Sequence, residues 1–162
     1  MAWDGASNET RHDELKYAMG NSSMLFVTAA GNEGKNITEH PVYPGSFNLP
    51  NVITVAAVNP DGSLAEFSNY GNEVHVGAPG VNIRSTFTTD DQEGRVAFNG
   101  TSMASPFVAN ALAAQILIHG GLTNEQLTKM VKHLPGITNL HPDKPRAGFA
   151  KLDSPLSDKT AS

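Results

Sequence analysis

The chain has no cysteine in its 162 residues. That excludes disulfides, thiolate metal sites and a cysteine nucleophile, and leaves the compartment open, since a disulfide-free protein can be exported or kept inside. Charge is sparse too: 17% of residues, with sixteen acids against eleven bases and a formal net charge of −5. No basic cluster occurs, which argues against a nucleic-acid partner, whose phosphates demand Lys and Arg gathered on one face. No apolar run reaches the roughly 20 residues of a bilayer span, so the sequence points to no membrane partner. The first residues, Met1-Ala2-Trp3-Asp4-Gly5, lack the basic and apolar stretches of a signal peptide.

Turn-forming residues, by contrast, are plentiful: 15 Gly and 10 Pro. They predict many turns between short buried elements, not a helical bundle. A globule of this length buries about 70% of the surface its unfolded chain exposes, enough for one domain with a core. Four Asn-x-Ser/Thr triplets, beginning at Asn8, Asn21, Asn36 and Asn99, matter only on a secretory route.

Periodicity predicts a first helix over about Asn8 to Met19, with Leu15, Ala18 and Met19 on one face, stopped by Gly20-Asn21. Met24–Ala30 and Val52–Val58 are apolar on both faces, as strands of a helix-covered parallel sheet are. A polar loop joins them, and Asn59-Pro60-Asp61-Gly62 closes the second with a turn. Glu73–Val76, Asn82–Phe87 and Arg95–Phe98 are shorter strand candidates. From Thr101 to about His119 the residues are small and apolar almost all round, which predicts a helix buried on every side; Pro106 falls in its first turn, where a missing N–H costs nothing. Thr123-x-x-Gln126 is a capping-box start for a last helix with Leu127, Met130, Val131 and Leu134 inward. The tail, 154–162, is polar.

Serine is abundant, so no serine is informative by itself. Ser102 has an unusual setting, Asn99-Gly100-Thr101-Ser102-Met103-Ala104-Ser105-Pro106, where a loop enters an apolar helix. Its hydroxyl there lies at the positive end of the helix dipole, and Gly100 permits close approach. On position alone, a helix N-cap explains the Ser and Thr equally well.

The wording of that segment resembles the nucleophile motif of the subtilisin-like serine proteases. Ala29-Ala30-Gly31-Asn32-Glu33-Gly34 resembles the family's oxyanion segment, and Tyr43-Pro44-Gly45 part of a substrate-pocket wall. Phe67-Ser68-Asn69-Tyr70-Gly71 and Gly77-Ala78-Pro79-Gly80-Val81 are similar to further landmarks, in order, and Arg146–Leu152 loosely resembles the closing segment. The resemblance implies an α/β, three-layer α/β/α subtilisin-like fold with a parallel sheet, residues 1–153 forming its C-terminal portion. It implies Ser102 as nucleophile and Asn32 as oxyanion donor. Ala30, Gly31, Glu33, Val42, Tyr43, Gly45, Gly100 and Thr101 would line the substrate site, with Val42 shortening the pocket for the residue before the scissile bond. It implies a polypeptide substrate, an extracellular setting and no cofactor; a structural calcium is compatible with the family, with no identifiable site here.

The departures limit this. In the family an Asp and then a His precede the Asn and the Ser, and nothing upstream of Asn32 matches either segment. His12 sits among polar residues; His40, His75, His119, His133 and His141 lack the motif of the family's base and read as solvated surface residues. Phe107 and Asn110 stand where the family commonly has His and Gly, and Asp4 breaks a faint likeness of residues 2–5 to the substrate-pairing strand. Two accounts follow. One is the nucleophile-bearing part of a serine endopeptidase, with the missing N-terminal portion of the domain as partner. The other is an inactive remnant that at most binds extended peptides. The first leaves a sheet edge and apolar surface in need of cover.

Overall fold

Every side chain of Val52–Val58 is buried, and alternate residues enter different cores. In a computed structural model of the chain, which describes residues 9–88 and 93–132, this segment is β2, the centre of a parallel sheet. β1 (Phe26–Ala29) pairs along it from Phe26↔Val52 to Ala29↔Val55, and β3 (Val76–Pro79) from Val55↔Val76 to Val58↔Pro79. Sheet order is β1-β2-β3. Ile53, Val55 and Ala57 face one way, against Ala104, Val108 and Leu112 of α2 (Thr101–His119) and Leu127 and Val131 of α3 (Asn124–Lys132). Val52 faces the other way, onto Phe47 and Met19 of α1 (Glu9–Gly20), while Ala56 and Val58 meet Ala30, Ile37 and Val74. α2 and α3 thus cover one face of the parallel sheet, and α1 with the loop residues Ala30, Ile37, Phe47 and Val74 covers the other, which is why β2 is buried and largely apolar on both faces.

The expected strand Met24–Ala30 is shorter, because pairing with β2 starts only at Phe26 and ends at Ala29, leaving Met24 exposed before it. The strand expected at Glu73–Val76 begins only at Val76: Val74 is held in a turn by its N–H bond to Gly71 O. β4 (Ile83–Thr88) and β5 (Glu93–Phe98) form a separate antiparallel ribbon leading into α2. The turn after β2 closes as the sequence implies, with Gly62 N–H on Asn59 O at 2.9 Å. The Ser63 hydroxyl and N–H then bond Asp61 and hold its carboxyl below the usual range. Thr123 and Gln126 cap α3 reciprocally, at 2.8 and 3.3 Å.

One expectation fails clearly. α2 is not buried on every side: Thr101, Ala104, Ser105, Val108 and Leu112 are inside, whereas Phe107 is 47% and Leu117 86% exposed. Its first turns cross the sheet, and its last two stand clear of it. The helix is also 19 residues long and apolar enough to cross a membrane by length and composition alone, which corrects the reading that no such run exists. Its packing across all three strands accounts for the apolar residues of its inner face, Ala104, Val108 and Leu112. Residues 2–5, Leu134, His133, His141 and the segments 146–152 and 154–162 lie outside the described residues.

Candidate active site

The site forms where β1 and β3 end and α2 begins. Gly80, just past β3, holds the approach to α2: Gly100 N–H donates to Gly80 O at 2.8 Å. Gly100 is the N-cap of α2, and no side chain of its own caps the helix. The cap comes from the other side of the site. Asn32, three residues past β1, turns its Oδ1 onto the Thr101 N–H at 2.9 Å and accepts the Thr101 hydroxyl at 3.0 Å. The same hydroxyl accepts Gly31 N–H at 3.2 Å. The N-cap reading of Thr101 is therefore replaced: its hydroxyl is fully buried and braces Asn32 instead of its own helix.

This arrangement fixes which end of Asn32 is free. With Oδ1 facing two donors, Nδ2 points away from Thr101, and no acceptor is bonded to it among the described residues. The Ser102 N–H and hydroxyl also have no partner among them. An N–H at the second position of a helix has no carbonyl within the helix to bond, so it joins Asn32 Nδ2 as a donor free to bind an incoming oxygen.

The other expected site residues fall around this point in differing ways. Ala30 is fully buried, its N–H on Val55 O and its carbonyl on Asn69. Gly31 has φ 103°, and a methyl group there would meet Asn69 Nδ2 at 2.3 Å. Glu33 is exposed, yet its carboxylate is tied to Asn69 Nδ2 at 2.6 Å. Val42 packs beside Ala30, Ile37 and Ala56, and its N–H bonds Ser46 Oγ at 2.9 Å. The Tyr43 ring packs on Phe47 and His12, at 4.8 and 4.6 Å between centroids. Gly45 O accepts the Thr54 hydroxyl at 2.7 Å, which pins the 42–46 loop to the sheet. Reading the sequence missed Thr54, Gly80 and Asn69. Only the Phe67–Gly71 and Gly77–Val81 landmarks hinted at the last two.

The histidines correct a second expectation. His75 is half-buried, and its Nδ1 accepts the Thr54 N–H at 2.9 Å, so it is no solvated surface residue. Among the described residues no histidine is hydrogen-bonded to Ser102. Nor do three or more His, Asp or Glu side chains gather there to hold a metal ion, so a structural calcium has no side-chain cluster among them.

A family model for the subtilases (peptidase S8) matches residues 2–146. The chain belongs to the subtilase family. As a subtilase it is 39% identical to a thermostable alkaline protease of Halalkalibacterium halodurans over 68% of its own length and 28% of the relative's. It is 47% identical to an intracellular serine protease of Paenibacillus polymyxa over 63% of its length and 30% of the relative's. A cold-adapted subtilisin-like serine proteinase superposes with a TM-score of 0.66 at 30% identity, over 82% of this chain and 45% of that one. The fold is therefore subtilisin-like. The subtilase chain spans about a third of the length of these curated relatives.

Proposed function

We propose that this subtilase chain carries the nucleophile and oxyanion hole of a serine endopeptidase, with Ser102 attacking the peptide carbonyl. The observation that carries the reading is the double anchoring of Asn32 Oδ1 by Thr101, which leaves Asn32 Nδ2 and the Ser102 N–H as donors without acceptors. Such preorganised donors stabilise the charge that develops on the carbonyl oxygen. A serine hydroxyl is a weak nucleophile until a base takes its proton. We assign that base, and the Asp that orients it, to residues outside those described.

The partner that supplies them is the preceding portion of a subtilase domain. The outer edge of β1 and the exposed Phe107 and Leu117 of α2 are the surfaces it would cover. The substrate is an extended polypeptide, and family likeness supports an extracellular setting, although one relative is by name intracellular.

A chromogenic peptide assay tests the reading. The chain by itself should show no turnover at a subtilisin-like rate, and should show it when a segment bearing the Asp and His is supplied. Ser102→Ala should then abolish it. Turnover that survives Ser102→Ala would end the proposal. A supplied segment that binds without restoring turnover would favour the inactive, peptide-binding remnant.

A further inference from the structure

We propose that Asn69 is a positioning residue for the oxyanion donor Asn32, a reading that rests on the site assignment above. Asn69 is fully buried and lies 37 positions beyond Asn32, yet its side chain reaches both flanks of it. Nδ2 donates to Ala30 O at 3.0 Å, two residues before Asn32. Oδ1 accepts Glu33 N–H at 3.1 Å and Lys35 N–H at 2.9 Å, just after it. The second Nδ2 proton goes to the Glu33 carboxylate at 2.6 Å. Two N–H groups on one end, and a carbonyl and a carboxylate on the other, also settle which way the amide faces, since a flipped group would oppose like to like at all four contacts.

All four hydrogen-bonding positions of the amide are thus engaged in one loop. The backbone reinforces it, with Asn69 N–H on Gly31 O at 3.0 Å. Asn32 itself is exposed, and its own side chain touches only Thr101 through hydrogen bonds. The loop that carries it has no strand or helix of its own from Ala30 to Lys35. Asn69 supplies the rigidity that regular structure would otherwise give, bracketing residue 32 so that Nδ2 stays aimed where the oxyanion forms. Gly31 belongs to the same device, because any side chain there would collide with the Asn69 amide. Glu33 is the outer latch, its carboxylate bonded to the second Nδ2 proton of Asn69.

Two measurements test this. The first needs no activity: hydrogen exchange by mass spectrometry on the chain with Asn69→Ala. The segment 31–37 should exchange at least about tenfold faster while 52–58 stays protected, since the Asn69 amide makes four of the bonds that hold the first, beside its backbone bonds to 67–70, and the sheet anchors the second. The second uses the chain assembled with a segment carrying the Asp and His. There Asn69→Ala should lower kcat about tenfold with KM unchanged, and lower it no further in an Asn32→Gly background, because residues acting as one unit are non-additive. Asn69→Asp, which keeps the shape but sets two carboxylates together, should be impaired. Adding Glu33→Gln should restore part of the rate by reversing the polarity of the same bond. Unchanged exchange over 31–37, or a kcat loss that adds in full to that of Asn32→Gly, would overturn the proposal. An assembled wild-type chain without turnover would overturn the protease reading alone, and the exchange result would still decide the role of Asn69.

Discussion

Thr101 gives both its backbone N–H and its hydroxyl to a single atom, Oδ1 of Asn32, across 69 residues of chain. One contact therefore closes the open end of α2 and orients the amide beside Ser102, the proposed nucleophile. Thr101→Val keeps the shape and the backbone bond but removes the hydroxyl, leaving Gly31 N–H without its acceptor. A hydrogen bond is worth about 0.5–1.5 kcal/mol net, so kcat of the assembled enzyme should fall about 2- to 12-fold, with Thr101→Ser near wild type. A loss in Thr101→Ser with Thr101→Val near wild type would show that the methyl group, not the hydroxyl, matters.

Asn32→Ala should be more severe, about 10²–10³ in kcat, a magnitude measured for such a donor in a subtilisin itself. Pre-steady-state acylation read alongside KM would check it. A rise in KM alone would place Asn32 in substrate binding.

Gly80 is a site of close approach. A methyl group there would lie 2.5 Å from Ala57 Cβ and 2.9 Å from Gly100 O. Gly80→Ala should cost about 1–3 kcal/mol, as overpacking does, and should disturb the Gly100 bond that steadies the start of α2. Thermal melting measures the first effect; slower acylation of Ser102 in the assembled enzyme reports the second.

The assignment of Val42 to the substrate pocket can be tested through specificity. If its side chain closes the pocket for the residue preceding the scissile bond, Ala and Val substrates should be preferred to Phe, and Val42→Gly should reverse the order. Methyl-scale changes in an apolar pocket are worth about 1–3 kcal/mol, or 10–200-fold. A P1-varied peptide series reads this directly, and an unchanged profile removes Val42 from the pocket. Thr54→Val offers a control from behind: it frees Gly45 O and should loosen discrimination while leaving the size order intact.

The outward residues of α2 make a prediction about association. Leu117, 86% exposed, should drive the chain by itself into oligomers, because contiguous exposed apolar surface seeks a partner. Leu117→Lys should shift sizing profiles toward the monomer with no loss of helical signal. Oligomers unaffected by that change would point to the β1 edge instead.

Much of this architecture was legible in the residues, and what was not has physical causes. The bounds of β2 and α2 match because each is a largely apolar run between strong stops. The burial of α2 did not follow, since an apolar surround states what a helix can bury and not what surrounds it. Val74 misled because a side chain buried in a turn and one buried in a strand look alike in sequence; only the pairing of Val76 with Val55 separates them. Ser102 and Asn32 stood out through their neighbours. Asn69 lay within a recognisable segment, but its partners are 34 to 39 residues away, and no local pattern encodes such a contact.

The zipping of the Gly31–Ile37 segment to 67–70 has one more consequence. An endopeptidase lays its substrate out as an extended strand, so its own exposed loops are candidates for self-digestion. Here Gly34 N–H is held by Phe67 O, Tyr70 N–H by Lys35 O and Ile37 N–H by Tyr70 O. The backbone that a neighbouring molecule would need to grip is already paired, and lifting it out would break these bonds and those to Asn69 together. On the proposed function, the loop that carries Asn32 is thereby guarded against cutting by a sister molecule.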